Sequence, residues 1–205
     1  MAVLQQVIFL IALITASYLI RKRVLRIRAN IQLGKKQELT GDSSARLQNM
    51  LLIAFGQKKM FKKLIPATLH FFIYVGFLVI NLEVLEFVFD GLAGTHRIFA
   101  PHLGSFYNVL MNVFEFLAIA VLLACVIFLI RRNILKVPRF WSTEMKGWPR
   151  LDGNLILTIE IVLMIAILSM NASDQLLQTR SDHYPTTGSL FFSSFLIPMF
   201  EGFNT

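Results

Sequence analysis

An apolar run from Val3 to Ile20 ends directly in the basic stretch Arg21-Lys22-Arg23-Val24-Leu25-Arg26-Ile27-Arg28. A run of this length is long enough to cross the hydrocarbon of a bilayer. The five cations at its end mark the cytoplasmic side, which places the N-terminus outside. The charges follow the apolar run and no small-residue cleavage site intervenes, so the segment is a retained anchor and not a cleaved signal peptide.

Three further runs repeat the pattern. Spans are expected at about 3–20, 64–89, 106–130 and 151–170, with a partial fifth at 190–200 that is only about half a span. Pro66 suits the first turn of the second span, and Asp90-Gly91 suits its end. The segments assigned to the inside, 21–63 and 131–150, hold 18 of the 20 lysines and arginines. Arg97 and Arg180 alone fall in the outer loops. The bias alternates correctly across four spans. The short fifth run before Thr205 is expected to be either a re-entrant end or, the preferred reading, the mark of a truncated chain. From Ala45 to Lys63 a mixed apolar and basic stretch is too charged to cross, and an interfacial amphipathic helix is expected there. Lys58, Lys59, Lys62 and Lys63 within it either face lipid phosphates or dock a cytoplasmic electron-transfer domain. The fold class is all-α: a polytopic transmembrane helix bundle of four full spans and an incomplete fifth.

Composition closes off other classes. Only 16% of residues are charged and the mean hydropathy is +0.64; soluble domains carry about 25% charged residues. The net charge of +8 lies beside apolar spans, so nucleic acid is not the partner; the lipid bilayer is. Cys125 is the single cysteine, which excludes an iron–sulfur cluster held within the chain. The motif Asn171-Ala172-Ser173 matches a glycosylation sequon but abuts a span.

Ionisable side chains inside spans are costly and mark candidate sites. His70, Glu83 and Glu86 lie in the second span, Glu115 in the third and Glu160 in the fourth. His70 and Asn81 are eleven residues apart, and so share a helix face about 16 Å apart. A neutral imidazole at position 70 can ligate haem iron; it can equally bond a backbone carbonyl or a glutamate across the bundle. Glu83, Glu86 and Glu115 either form a proton relay or line a quinone pocket, or pack as neutral acids between helices. His96, Arg97, His102 and His183 fall on the outer side. Those histidines either serve an outer quinol or proton site, bind a metal, or are ordinary loop residues.

The run Leu64-Ile65-Pro66-Ala67-Thr68-Leu69-His70-Phe71-Phe72-Ile73-Tyr74-Val75-Gly76-Phe77 resembles the cytochrome b type membrane domain of the respiratory nitrate reductase gamma subunit. It also resembles the membrane subunits of heterodisulfide reductases and, more closely, bacterial iron–sulfur membrane proteins related to them. Residues 54–61, 81–86, 94–97 and 170–174 carry the same likeness, which extends over 1–205 as one domain. The resemblance implies electron exchange between a quinone pool and a cytoplasmic iron–sulfur protein or domain, through haem b where axial histidines exist. His70 matches a family haem ligand. The second histidine usual later in that span is replaced by the neighbourhood of Asn81 and Glu83, and the cluster cysteines are missing. Two other functions remain open: a non-catalytic anchor that recruits an iron–sulfur protein through the basic loops, and a small proton-coupled transporter.

Overall fold

A bilayer offers backbone groups no water, so a chain this apolar must satisfy them internally. In the computed structural model it does so with helices. Residues 2–35, 41–56, 61, 64–180, 184 and 186–202 are described. Among them the secondary structure is all-α, with helices α1 (Ala2–Gln32), α2 (Ser43–Met50), α3 (Leu64–Ala93), α4 (Ala100–Leu103), α5 (Ser105–Leu129), α6 (Trp148–Arg180) and α7 (Ile197–Phe200). Four helices, α1, α3, α5 and α6, are long and apolar enough to cross a membrane. This is the secondary structure of a multi-pass membrane protein.

Each of these helices outruns its expected span. The first continues through the whole basic run to Gln32, because Arg, Lys and Leu are good helix formers and no glycine intervenes before Gly34. The second passes Asp90 and stops after Ala93. Gly94, at φ 69°, then donates to Asp90 O at 2.8 Å, and Thr95 Oγ1 donates to Asp90 Oδ1 at 2.7 Å. The third runs on in a π turn, Ile130–Ile134. The fourth extends ten residues beyond Met170, so Asn171 and Asp174 are helical and buried. The glycosylation reading of Asn171 fails on this burial.

In the stretch expected to form an interfacial helix, the described helical residues include α2 and the turn that follows it. Asp42 caps α2 by accepting from Ser44 N at 2.9 Å, and a π turn, Leu51–Phe55, follows. Both pieces are exposed throughout. The lysines at 58, 59, 62 and 63 lie outside the described residues. The partial fifth span is not a rod either. It is a 3₁₀ turn, Ser193–Phe195, followed by the four-residue α7.

The chain divides into two compact units, residues 1–62 with 87–96, and residues 63–86 with 97–205. In the first, the Phe9 ring of α1 lies against Gly91 so closely that a Cβ there would stand 2.7 Å from it. In the second, Ile80, Leu117, Ala118, Val121, Cys125, Met164 and Leu168 form one core, joining α3, α5 and α6. Tyr107, Met111, Phe114 and Leu190 form another. Polar side chains on the spans turn back onto their own helices, as Thr158 does to Asn154 O at 2.9 Å and Ser173 to Ser169 O at 2.9 Å.

Gly76 is buried where α3 meets Val121, and a Cβ on it would overlap the valine methyl. Val121 is β-branched and stiff. Gly76→Val should therefore cost about 1–3 kcal/mol, read as a lower unfolding temperature in detergent, whereas Gly34→Ala should leave it unchanged.

Candidate functional site

Three carboxylic acids each come within 4.0 Å of one arginine in the second unit, all nearly inaccessible. Glu83 and Glu86 come from the buried stripe of α3, which also carries Gly76 and Ile80. Their i, i+3 spacing puts both on one helix face. Asn171 and Asp174 repeat that spacing on α6. Tyr107 and Met111 come from the start of α5. Arg97 arrives from the loop between α3 and α4.

Arg97 organises the cluster. Its Nε donates to Asp174 Oδ2 at 3.2 Å, and Nη2 reaches the same oxygen at 3.2 Å. Nη2 also donates to Asn171 Oδ1 at 2.8 Å. Nη1 donates to Tyr107 Oη at 3.2 Å and to Met111 Sδ at 3.4 Å. The same nitrogen stands 3.7 Å from Glu83 Oε1 and 4.0 Å from Glu86 Oε2. A guanidinium offers five donors in a fixed fork, which suits convergent acceptors. Burial opposes its charge, but the facing Tyr107, Asp174 and Glu83 oxygens outweigh burial and hold its pKa above the ordinary arginine value. Its backbone sits at φ 53°. A non-glycine residue holds that conformation only where its surroundings fix it.

The carboxylates differ in their partners. Glu86 accepts from Tyr107 Oη at 2.6 Å and from Phe99 N at 3.0 Å. Asp174 accepts from Arg97 and from Gln178 Nε2 at 3.0 Å. Glu83 is 1% exposed, and among the described residues neither of its oxygens has a hydrogen-bond partner.

Glu115, fully buried on α5, stands apart from the Arg97 contacts. It accepts from Phe192 N at 2.9 Å, from Ser193 N at 3.3 Å and from the Ser193 hydroxyl. Ser193 Oγ also lies 3.1 Å from Leu168 O. Glu115 thus pins the segment after Ser189 against α5 and α6.

Beside this segment lies an open cavity of about 750 Å³. Carboxamides (Asn108, Asn112, Gln175, Gln178), hydroxyls and the apolar Leu190, Phe191 and Ile197 line it. Several amides there are already engaged. Asn112 Nδ2 donates to Ser189 O at 3.0 Å, and its Oδ1 accepts from Phe191 N at 3.0 Å. Gln178 bonds Thr187 through both amide atoms. Gln175 Oε1 is buried, with no hydrogen-bond partner among the described residues. Gln178 joins the cavity wall to Asp174, and so to Arg97.

The remaining candidates are dispersed. His70 is exposed, as is its eleven-residue partner Asn81. Its ring packs on Phe128, with centroids 4.6 Å apart. The other described histidines, His96 and His102, follow the opposite end of the same helix. Among the described residues His70 is thus the one histidine near the start of α3. His102 is exposed, with Nδ1 3.1 Å from Ile98 O. His183 lies outside the described residues. Among the described residues, no group of three or more potential ligands is placed to hold a metal ion. Tyr107, Asp174, Gln178 and Ser193 join the site without standing out in the sequence, and Asn171 joins it as a buried acceptor rather than a sequon. The i, i+3, i+7 alignment of Asn171, Asp174 and Gln178 is the available signal, once the fourth helix is extended past Met170.

No family model matches the chain, and no solved structure matches it. The chain is similar to the probable iron-sulfur-binding oxidoreductase FadF of Bacillus subtilis (strain 168), at 28% identity over 153 residues. The match covers 74% of this chain and 21% of the relative, so the chain spans about a fifth of the length of the curated relative it matches.

Removing Arg97 would leave buried acids without their cation. Arg97→Leu should lower stability by about 3–5 kcal/mol, measured by unfolding in detergent. Arg97→Lys should restore little of this, since an ammonium cannot reach Asp174, Asn171 and Tyr107 together.

Proposed function

We propose that the chain is a membrane electron-transfer domain that works with a cytoplasmic iron–sulfur module and exchanges electrons with a membrane quinone. The similarity to a probable iron-sulfur-binding oxidoreductase over 74% of the chain carries this proposal. Four membrane-length helices and a cluster of buried acids beside a neutral cavity support it. The single cysteine leaves the cluster ligands to another segment or partner.

The cavity beside Phe191 is the site we assign to the quinone ring. Its volume falls in the range of small-molecule sites, about 300–1,000 Å³. Neutral amides and hydroxyls suit a ring that accepts hydrogen bonds when oxidised and donates them when reduced. Gln175 lines the cavity and its Oε1 has no hydrogen-bond partner among the described residues, so we assign it to a quinol hydroxyl. Glu83, Glu86 and Glu115 are not at the cavity wall. They bear on the reaction through proton balance rather than by touching the ring. His70 is the one axial ligand that this chain's described residues offer a haem b, and a bound haem would relay single electrons.

Membranes holding the chain with its iron–sulfur module should pass electrons from a quinol analogue to the clusters, seen by electron paramagnetic resonance. Gln175→Leu should raise the apparent KM for the quinol about tenfold, the loss of roughly one hydrogen bond. Cluster reduction that is indifferent to quinol would contradict the assignment. If haem b is bound, its Soret band should disappear in His70→Ala.

The proposed orientation is that of a bacterial inner-membrane protein with its N-terminus outside, from the distribution of basic residues. Cys125 is buried and should stay silent to thiol labels. Thr95→Cys should then react with an impermeant maleimide from outside intact cells, and Lys146→Cys only after permeabilisation. The reverse pattern would invert the topology.

A further inference from the structure

We propose that Glu83 is a neutral acid in the resting protein, so that the Arg97 cluster is a binding site for one exchangeable proton. Among the described residues three acids share one cation here, and none of the four reaches solvent appreciably. Placing three negative charges on one guanidinium in a low-dielectric interior is the most costly arrangement available. At least one acid must hold a proton, and the hydrogen bonds identify which.

Asp174 receives Arg97 Nε and the Gln178 amide, both on Oδ2. Glu86 receives the Tyr107 hydroxyl and the Phe99 N–H. Both sets of partners are donors, which is the environment of an ionised carboxylate. Among the described residues Glu83 accepts no hydrogen bond; the Asn171 amide faces it but stands outside hydrogen-bond geometry, and Arg97 Nη1 is 3.7 Å away. The groups facing it are Glu86 on its own helix, Arg97 on the loop, Glu115 on α5 and Asn171 on α6. Of these, Arg97 is the only cation. Asp174 competes with Glu83 for it, at 3.2 Å.

Proton occupancy at Glu83 is therefore set by how far Arg97 is committed to Asp174. While that pair holds, Glu83 keeps its proton. If Asp174 loses its charge, Arg97 turns to Glu83 and the proton leaves. Gln178 connects Asp174 to the cavity wall, so occupancy of the cavity can bias this choice. The inference deepens the redox assignment, because quinol oxidation releases protons that need an acceptor. Its test does not require electron transfer, so the two can fail separately.

Infrared spectra of the full chain in lipid should show the carbonyl band of protonated carboxylic acid, shifted by exchange into D₂O. Glu83→Gln should remove one component of that band and leave the unfolding temperature unchanged, since glutamine copies a neutral acid. Asp174→Asn should remove the same component by ionising Glu83. A band that survives intact in Glu83→Gln, or a marked loss of stability in that variant, overturns the proposal. A component retained in Asp174→Asn overturns the control by Arg97.

Discussion

A guanidinium enclosed by acids, away from water, is the constraint on which the second unit depends. An unpaired Arg97 there would be among the most costly groups a protein can bury, and so would each acid without it. The cluster draws on α3, α5, α6 and the loop before α4. It fixes where those elements meet at that end, while the apolar contacts of Ile80, Val121 and Met164 fill the space below. In lipid, apolar burial contributes little to helix association, so packing and internal hydrogen bonds carry it. The positive φ at Arg97 fits this picture: the backbone accepts strain because the side chain is held at both ends of its fork.

Glu115 shows a second way to bury a carboxylate. Its described partners are two backbone N–H groups and a serine hydroxyl rather than a cation. Those donors belong to the segment beginning at Phe192, so a single acid holds a non-helical stretch of chain onto α5 and α6. This arrangement shapes one wall of the cavity, whose rim is tied by Asn112 and Gln178. Irregular backbone lining a cavity is tolerated in membrane proteins where its polar groups find partners in this way.

Hydropathy and charge make the all-α class and the four long helices legible, because only a helix can carry so many consecutive apolar residues across lipid. Helix ends are less legible. Hydropathy falls at Ile20 and Met170, yet the backbone continues to Gln32 and Arg180, since polar residues with good helix propensity do not break a helix. Ending the fourth helix at Met170 hides Asp174 and Gln178 in a loop and makes Asn171 look like a surface sequon. Glu83, Glu86 and Glu115 stand out because a carboxylate is costly to place within a span and rarely sits there without a role. Tyr107 and Ser193 carry no such signal; their roles come from contacts across 21 and 78 positions of sequence. His70 matches a family position by sequence, and the fold sets its ring on Phe128 of α5, apart from the acids.

Energetic coupling across the cluster is the most direct test of the claim that Arg97 organises it. A double-mutant cycle of Arg97→Leu and Asp174→Leu, followed by unfolding in detergent, measures that coupling. Shared pairing predicts that the double variant loses less stability than the two single losses combined, with a coupling of at least about 2 kcal/mol. Losses that simply add would show that Arg97 and Asp174 act independently, and would contradict the role given to Arg97 here.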